Sequence, residues 1–419
     1  MTRNAPENEL PIDGERLWRS LMRYAEIGAT PNGGVERLTA SKTDRQARDQ
    51  LVEDARAVGA AVRIDRVGNI FCRREGTDPN RSPVLIGSHL DTVQNGGRFD
   101  GSLGVLIGLE ILQALDSAGM DTAAPVEVVN WTNEEGSRFP VPMLGSRVHA
   151  GQISKRDALD LTDAGGTSLG NALSQTGYSG DYDGDRRIAA YLEAHIEQGP
   201  MLENAGVHVG IVTGIQARCR LRVEVRGTAA HAGTMPMDDR QDALVTGAAI
   251  VLAVRELGQA YGADGRATVG RLDAWPGAAN VVPDCAELLI DLRHPNTKTL
   301  NGMRRDLAQR ITEIARTESC TVKVQTLSEA ASTEFDPDIR RRLHRAAESI
   351  SEPAMNLVSG GGHDAGPLAT IAPAGMVFVP CKRGISHHPS EEVAPAGALA
   401  GCRVMGAAVC TLANAAQVS

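Results

Sequence analysis

The sequence is poor in aromatic residues and has no excess of basic ones. Phe, Trp and Tyr make up 3% of its 419 residues, which argues against a surface on which bases or sugars stack. Lys and Arg total 43 against 52 Asp and Glu, so the formal net charge is -9. Nucleic acids and anionic membranes attract a positive surface field, and this balance therefore argues against either as a partner.

Paired cysteines and long apolar runs are lacking as well. The seven cysteines are dispersed with no CxxC pair, which predicts reduced thiols and not a disulfide framework. The first residues contain no apolar signal-peptide core. The run at 243–254 is shorter than the about 20 residues that span a bilayer, and the run at 397–418 carries Arg403, which favours a packed terminal helix. We therefore expect a cytoplasmic protein.

The composition and the order of patterns indicate a globular chain with more than one domain. Hydrophobic residues make up 42% and charged residues 23%, which are ordinary values for a protein with a large core. At about 150 residues per domain, the length predicts two or three domains. Apolar segments typical of buried strands at 83–90, 124–136 and 375–380 alternate with helical segments. This alternation favours a layered α/β domain with a mostly parallel sheet.

A central segment differs in character from the rest. Charged residues alternate with apolar ones over 218–227, which predicts a strand with one wet face. The strands and helices that follow are predicted near 242–259, 267–274, 285–293, 299–317 and 320–327. We therefore expect a smaller α+β domain with an antiparallel sheet at 214–327, inserted into a discontinuous catalytic domain formed by 1–213 and 328–419.

Acidic and imidazole side chains follow the predicted strands. His89, Asp91 and Asp100 lie in GSHLDTVQNGGRFDG, and Glu134 and Glu135 lie in NEEG. Two neighbouring carboxylates at a buried strand end repel each other unless a cation lies beside them. Because adjacent side chains diverge, one carboxylate can bind a metal while the other faces the substrate as a general base.

Further histidines complete a set of metal ligands. His195 lies in EAHIEQG, and His387 and His388 lie in GISHHPSEE. Taken singly, each histidine is more simply a hydrogen-bonded structural residue, Asp100 a helix cap, and the glutamate pair a solvated loop. Together the segments supply enough imidazole and carboxylate groups for two divalent cations that share one carboxylate. Without thiolates, such a site suits Zn, Mn, Co or Ni.

Other enzyme classes lack their motifs in this sequence. SGGGHDA has no Gly-Lys-Ser/Thr ending of a phosphate-binding loop, and there is neither the GxSxG elbow of a serine hydrolase nor the HExxH of a thermolysin-like protease.

Six motifs in order resemble those of one family of enzymes. They are GSHLDTV…GGRFDG, NEEGSRF, EAHIEQGP, AHAGTMPM, SGGGHDA and GISHHP. The set resembles the dinuclear metal amidohydrolases that act on N-carbamoyl-L-amino acids, β-ureido acids and allantoate, within the aminoacylase/carboxypeptidase superfamily. The resemblance covers nearly the whole chain. It implies cleavage of the ureido C–N bond of an N-carbamoyl-L-amino acid to the amino acid, ammonia and CO2.

Alternative functions stay open at this point. Allantoate and ureidoglycolate share the ureido group and a carboxylate, and β-ureidopropionate is a further candidate substrate. From a different class, the chain could be a metal-free binding descendant of the fold, although its set of ligands is complete.

The resemblance also implies which residues bind the metals. His89 and His195 would hold one divalent cation, Glu135 and His387 the other, and Asp100 would bridge the two. The family pattern often has Ser or Asn where His388 stands, so His388 could compete with its neighbour.

The same resemblance implies catalytic and substrate-binding roles. Glu134 would be the general base, Asp91 would orient His89, and His231 would contact the oxyanion. The substrate contacts would be Gln198, Arg220, His231, Asn280, Arg293, Gly362 and His363. An ion pair with Asp291 is the simpler alternative for Arg293, and a solvated strand face is the simpler one for Arg220. An extra glycine in SGGGHDA departs from the family pattern.

The inserted domain would act as a lid and a dimerisation domain, with His231 often supplied by the neighbouring subunit. The resemblance therefore implies a homodimer with a small ureido or carboxylate substrate.

Overall fold

The structure is a computed structural model in which residues 10–184 and 187–415 are described. The described residues form two compact units. The first contains those of Met1–Thr213 and Glu334–Ser419, and the second is Gly214–Thr333. The second unit extends beyond the expected boundary at 327 because its last long strand continues to Ala330.

The strands of the described residues are, in chain order, β1 (Ala61–Ile64), β2 (Ile70–Arg74), β3 (Val84–His89), β4 (Val126–Trp131), β5 (Ala190–Ile196), β6 (Val209–Ile215), β7 (Ala217–Arg226), β8 (Ala230–His231), β9 (Arg266–Trp275), β10 (Val281–Val282), β11 (Cys285–His294), β12 (Thr321–Ala330), β13 (Thr333–Glu334), β14 (Ala354–Ser359) and β15 (Ala374–Val379).

The α-helices are α1 (Gly14–Glu26), α2 (Lys42–Ala57), α3 (Ser102–Ser117), α4 (Leu144–His149), α5 (Lys155–Leu159), α6 (Leu169–Thr176), α7 (Met201–Ala205), α8 (Ala243–Ala260), α9 (Thr297–Thr317), α10 (Pro337–Ser349), α11 (Ala365–Leu368) and α12 (Pro395–Asn414). Short 3-10 helices occur at Met237–Asp239, Gly262–Asp264 and Lys382–Gly384.

A nine-stranded mixed sheet forms the centre of the first unit, in the order β1-β2-β4-β3-β5-β15-β6-β13, with β14 paired to β6. The four strands β4, β3, β5 and β15 are mutually parallel, and every residue in them is buried. β1 pairs antiparallel with β2, β2 with β4, and β6 with β15. The chain therefore has the expected mixed α/β fold, in which the parallel strands occupy the middle of the sheet.

Apolar helices cover this sheet. α3 packs on β3 and β5, and α12 packs on β15 and against α1 and α10. Both α8 and α12 are long and apolar enough to cross a bilayer by length and composition alone. Core helices of soluble proteins pass the same test, and 61% of the apolar window of α12 is buried in the protein. The terminal helix expected from the sequence is thus part of the core.

The second unit contains a four-stranded sheet in the order β12-β7-β11-β9, with all its pairs antiparallel. α8 and α9 contact each other and cover one face of it. In β7 the apolar residues are buried, whereas the charged residues between them are partly or fully exposed. This pattern confirms the predicted strand with one wet face.

A buried ion pair ties α2 to the strand ends of the first unit. Arg48 Nε donates to Asp44 Oδ2 over 2.7 Å, and both side chains are almost fully buried. The same guanidinium donates to the carbonyl oxygen of Gly68 over 2.6 Å and to the hydroxyl of Thr132 over 3.3 Å. Arg48 therefore joins the β1–β2 turn and the end of β4 to one helix.

We expect Arg48→Met to lower the free energy of unfolding by about 3–5 kcal/mol, because it leaves the Asp44 carboxylate buried without its partner. Arg45→Met is the matched control, since Arg45 forms an exposed pair with Asp49 at the same spacing on the same helix. The control substitution should lower the free energy of unfolding by about 0–1 kcal/mol. Urea unfolding followed by circular dichroism measures both, and equal losses would contradict the role of the buried pair.

Candidate metal centre

The metal ligands expected from the sequence come from neighbouring strand ends. His89 is the last residue of β3, and Glu134 and Glu135 follow the end of β4. His195 lies near the end of β5, and the loop after β15 carries His387. Because these strands are parallel, their carboxyl ends lie at one edge of the sheet, where open α/β folds build their sites.

One group of potential ligands is formed by His89, Asp100 and His195. Asp100 Oδ1 lies 3.1 Å from His195 Nε2 and 3.5 Å from His89 Nε2. One ligand atom from each residue lies within 4.8 Å of the others, and all three residues are buried. The arrangement offers two imidazoles and a carboxylate to one cation.

A second group is formed by Asp100, Glu135 and His387, again with ligand atoms within 4.8 Å of one another. His387 Nε2 lies 3.4 Å from Asp100 Oδ2 and 3.5 Å from Glu135 Oε2. Asp100 thus presents one oxygen to each group. The structure therefore brings together all five residues that the sequence identified as ligands.

Several carboxylates accumulate at this edge of the sheet. Burial, followed by the charges of Asp364 and Glu135, raises the pKa of Glu134 well above its usual range. Burial and the charge of Asp100 raise the pKa of Glu135 in the same way. Glu135 Oε1 is buried and has no hydrogen-bond partner among the described residues. Cations at this place would compensate these charges, so the side chains fit a divalent metal.

The imidazoles respond to the same charges. Burial lowers the pKa of His195, but the Asp100 carboxylate outweighs burial and raises that pKa to about 9. Burial opposes ionisation of Asp100, yet the two histidines His195 and His387 hold its pKa well below the usual range. His89 has no such dominant partner, and burial lowers its pKa to about 4. In the metal-free protein, His195 and Asp100 therefore form an ion pair that a cation must replace.

Asp91 contacts His89 through its backbone. The carbonyl oxygen of Asp91 lies 2.9 Å from His89 Nδ1 and accepts a hydrogen bond from it, which leaves Nε2 free to bind a metal. The Asp91 carboxylate instead accepts hydrogen bonds from the backbone N–H groups of Glu134 and Glu135, over 3.2 and 3.3 Å. The residue therefore fixes both the tautomer of His89 and the backbone of the glutamate pair.

Gln198, Gly362 and His363 also lie at this edge. Gln198 Nε2 donates to Asp100 Oδ2 over 2.8 Å. A Cβ added to Gly362 would lie 3.3 Å from the terminal methyl group of Met143. His363 is buried, its Nε2 lies 2.9 Å from Ser359 Oγ, and its ring packs 4.5 Å from that of His195 between ring centres. His363 therefore packs against His195, which is one of the expected metal ligands.

The extra glycine of SGGGHDA has a spatial consequence. A Cβ on Gly361 would lie 2.9 Å from Gln198 Oε1, closer than ordinary contacts allow. An alanine at this position would therefore require the Gln198 amide, which contacts Asp100, to shift.

His388 is hydrogen-bonded to a residue of its own loop. Its Nδ1 lies 2.6 Å from Ser390 Oγ and accepts a hydrogen bond from the Ser390 backbone N–H. Among the described residues, the ligand groups contain His387 and not His388.

Two of the site residues have strained backbones. Gln198 and His387 have φ values of 58° and 55°, in the left-handed region that residues other than glycine rarely occupy. Such strain persists where the surrounding structure imposes it, often at functional sites.

In the second unit, β8 and β10 bring two candidate substrate contacts together. His231 is paired with Val281, next to Asn280, and the backbone N–H of Ala232 donates to the Asn280 carbonyl oxygen. His231 Nδ1 accepts a hydrogen bond from the Gly233 N–H over 3.1 Å. In a neutral imidazole the proton then lies on Nε2, which can donate to an oxyanion.

Arg220 and Arg293 meet at the wet face of the second sheet. Arg293 Nε donates to Asp291 Oδ1 over 2.6 Å, and Arg220 Nε donates to Asp291 Oδ2 over 3.2 Å. Arg218 is paired with Arg293 across the strands, and burial together with its arginine neighbours lowers its pKa. The ion pair with Asp291 is therefore present, and three cationic side chains surround that carboxylate.

Some residues at the centre escaped the sequence analysis. Ser386 Oγ donates to Asp100 Oδ2 over 2.8 Å, and Glu391 Oε1 accepts from the Asp100 backbone N–H over 3.1 Å. Asp364 is buried and hydrogen-bonded to Ser146 Oγ. The sequence did place these residues in the motifs GISHHPSEE and SGGGHDA. The spacing within a motif, however, does not predict which residue each of them contacts.

Comparisons with known proteins agree with this geometry. The pattern of peptidase family M20/M25/M40 matches residues 85–411. The N-carbamoyl-L-amino acid amidohydrolase of Geobacillus stearothermophilus is 39% identical over 408 residues, which is 96% of this chain and 99% of that protein. The ureidoglycolate hydrolase of Arabidopsis thaliana is 33% identical over 416 residues, which is 95% of this chain and 86% of that protein.

Among solved structures, an amidase of the hydantoinase/carbamoylase family from Burkholderia multivorans superposes with a TM-score of 0.93. It is 40% identical, and the match covers 96% of this chain and 98% of that one. The chain therefore belongs to peptidase family M20/M25/M40, as an amidohydrolase related to its hydantoinase/carbamoylase amidases.

Proposed function

We propose that this protein hydrolyses the ureido C–N bond of an N-carbamoyl-L-amino acid, with release of the amino acid, ammonia and CO2. The observation that carries the proposal is Asp100, which offers one oxygen to each of two ligand groups. The similarity to the N-carbamoyl-L-amino acid amidohydrolase of Geobacillus stearothermophilus over nearly the full length supports the substrate class.

Two divalent cations per subunit, drawn from Zn, Mn, Co and Ni, fit the ligand types. His89, Asp100 and His195 would hold one of them, and Asp100, Glu135 and His387 would hold the other. When bound, such cations lower the pKa of a water molecule and polarise a carbonyl group.

Glu134 is the proposed general base. Its Oε2 lies 3.5 Å from His89 Nε2, so the carboxylate borders the first ligand group. Its backbone is held on both sides, by Asp91 at its N–H and by the N–H of Met143 at its carbonyl oxygen over 2.7 Å. Without cations, burial and neighbouring charge favour the protonated form of this carboxyl group, and cations bound beside it would favour the ionised form. In its ionised form, Glu134 would accept a proton from the attacking water and pass it to the leaving nitrogen.

The second unit supplies the remaining contacts in this proposal. Nε2 of His231 donates to the oxyanion, and Asn280 lies beside it. Arg293 binds the substrate carboxylate, helped by the surplus of positive charge around Asp291, while Arg220 contributes to that charge. The backbone around Gly362 contacts the same substrate carboxylate, and Gln198 and His363 contact other parts of the substrate.

We further propose that the second unit acts as a lid and as the dimerisation surface of a cytoplasmic homodimer. Exposed apolar side chains on α8 and β12 support this role; they are Leu244, Val245, Leu252, Val324 and Leu327.

Ureidoglycolate is the second candidate substrate, because the Arabidopsis thaliana ureidoglycolate hydrolase is 33% identical. A rate panel with N-carbamoyl amino acids, β-ureidopropionate, allantoate and ureidoglycolate decides between them. We expect the highest kcat/KM for an N-carbamoyl-L-amino acid, and a preference for ureidoglycolate or allantoate would replace the proposed substrate.

Metal binding should stabilise the protein more strongly as the pH rises. His195, with its pKa raised to about 9, stabilises the metal-free fold below pH 6.5, and this contribution is lost as the pH rises through 9. The raised pKa values of Glu134 and Glu135 act in the same direction. Bound cations remove this penalty.

Thermal unfolding at pH 6.5, the ordinary pKa of a histidine, and at pH 9, the raised pKa of His195, measures the effect with chelator and with added Zn or Mn. We expect the metal-induced rise in Tm to be several degrees larger at the higher of the two pH values, since each kcal/mol of stability corresponds to about 2–4 °C. A metal-induced rise in Tm that is the same at both pH values would contradict the metal assignment.

Glu134→Gln should reduce kcat by about 10²–10⁴-fold, because a general base contributes that much to proton transfer. Metal content, measured by plasma mass spectrometry, should stay at the wild-type value. Glu135→Gln is the matched comparison and should lose metal as well as activity. Near-normal kcat in Glu134→Gln would refute its role.

Arg293→Ala should lower kcat/KM for carboxylate substrates by roughly 10–100-fold, since a hydrogen bond to a charged group contributes about 1.5–3 kcal/mol. Arg222→Ala is the control, because Arg222 lies on the same face of the sheet as Arg293 and pairs with Glu287. The carboxamide analogue of the substrate should be affected much less. Equal losses for acid and carboxamide would show that Arg293 does not bind the carboxylate.

A further inference from the structure

The loop that carries His387 has two further contacts with Asp100, besides that of His387 itself. The loop is closed at its base, where Cys381 and Val393 form an antiparallel bridge and the Lys382 N–H donates to the Glu392 carbonyl oxygen over 2.9 Å. Between these ends, the loop from 382 to 392 projects to the edge of the sheet. Besides His387 itself, Ser386 and Glu391 of this loop contact Asp100.

Glu391 is a buried side chain that reaches the backbone of Asp100. It has no exposed surface, and its Oε1 accepts hydrogen bonds from the N–H groups of Phe99 and Asp100 over 2.8 and 3.1 Å. A Cβ on Gly97 would lie 2.0 Å from the carboxyl carbon of Glu391, so a larger residue at this position would displace the carboxylate. The metal centre described above makes no use of this carboxylate.

Ser386 holds the same loop from the other side of Asp100. Its hydroxyl donates over 2.8 Å to Asp100 Oδ2, the oxygen that lies 3.4 Å from His387 Nε2. His387 follows directly and adopts a left-handed backbone with a φ of 55°. Its side chain is 48% exposed, so packing restrains the imidazole much less than it restrains the buried His89 and His195.

We propose that Glu391 and Ser386 are positioning residues for the second cation site, because they set the distance between Asp100 and His387. The proposal rests on the two-cation centre of the proposed function. Residues that orient metal ligands typically change metal affinity by about 10–100-fold when they are removed. The first site depends less on this loop, since His89 and His195 lie on buried central strands.

Substitutions at Glu391 separate position from charge. In Glu391→Gln the amide oxygen still accepts from both N–H groups, while the negative charge is lost. In Glu391→Ala both hydrogen bonds are lost. Glu392→Ala is the matched control, because Glu392 is the next residue and pairs with Lys382 at the surface over 2.8 Å.

The test is a titration of metal-free protein with Zn in competition with a chelating dye, together with Tm in chelator. We expect wild type, Glu392→Ala and Glu391→Gln to bind two ions with similar affinities. Glu391→Ala should keep the first affinity and weaken the second by about 10–100-fold, and Ser386→Ala should weaken the same site.

Three results would overturn the proposal. Wild-type affinities in Glu391→Ala and Ser386→Ala would remove the positioning role. An equal loss at both sites, with a matching fall in the metal-free Tm, would show a merely structural role. If Glu391→Gln weakens the second site as much as Glu391→Ala does, the loss of affinity is due to the missing negative charge and not to the missing hydrogen bonds.

The wild-type result distinguishes this proposal from the function on which it rests. A wild type that binds fewer than two ions contradicts the two-cation centre itself. If Glu391→Ala fails to fold, Ser386→Ala decides the question, since loss of the second ion supports the positioning role and wild-type binding refutes it.

Discussion

Mutual repulsion among buried carboxylates is the constraint on which this structure depends. Asp100, Glu134 and Glu135 meet at the carboxyl ends of parallel strands, where burial makes each negative charge costly. The neighbouring imidazoles offset part of this cost in the metal-free protein, most directly through the pair of Asp100 with His195. Divalent cations between the same groups would offset it more completely, and this need connects the fold to the proposed chemistry.

The scaffold around the centre holds the ligand loops before any ion binds. The guanidinium of Arg37 is fully buried and donates to the carbonyl oxygen of Leu90, which follows His89, and to the hydroxyl of Ser102. It also donates to the carbonyl oxygens of Tyr24 and Ile27. Burial lowers the pKa of Arg37 to about 10, so the group stays charged at neutral pH. This fixed cation joins α1, the loop after β3 and the start of α3.

Much of the fold could be predicted from local patterns. Continuous apolar runs identified β3, β4 and β15, and alternation identified β7, because burial on two faces or on one leaves a direct trace in the sequence. The boundary after the second unit was less predictable. β12 continues past 327 as an exposed edge strand, and its weak apolar pattern gives no signal of where it ends.

The ligands of the site could be predicted because they are His, Asp and Glu residues, which commonly bind metals, and because they lie in recognisable motifs. Their supporting residues could not, since Glu391 reaches Asp100 across 291 positions of sequence. Asp91 was expected to orient His89, but the sequence did not indicate that the contact is made by its backbone carbonyl. Arg293 shows the limit of residue-by-residue reasoning, because its pairing with Asp291 and its proposed contact with substrate use the same donors.

The most direct measurement is anomalous diffraction from crystals of the protein loaded with Zn or Mn. The account predicts two peaks, one on each side of the Asp100 carboxylate, with His89 and His195 at the first and Glu135 and His387 at the second. A single peak, or ions bound away from Asp100, would contradict it.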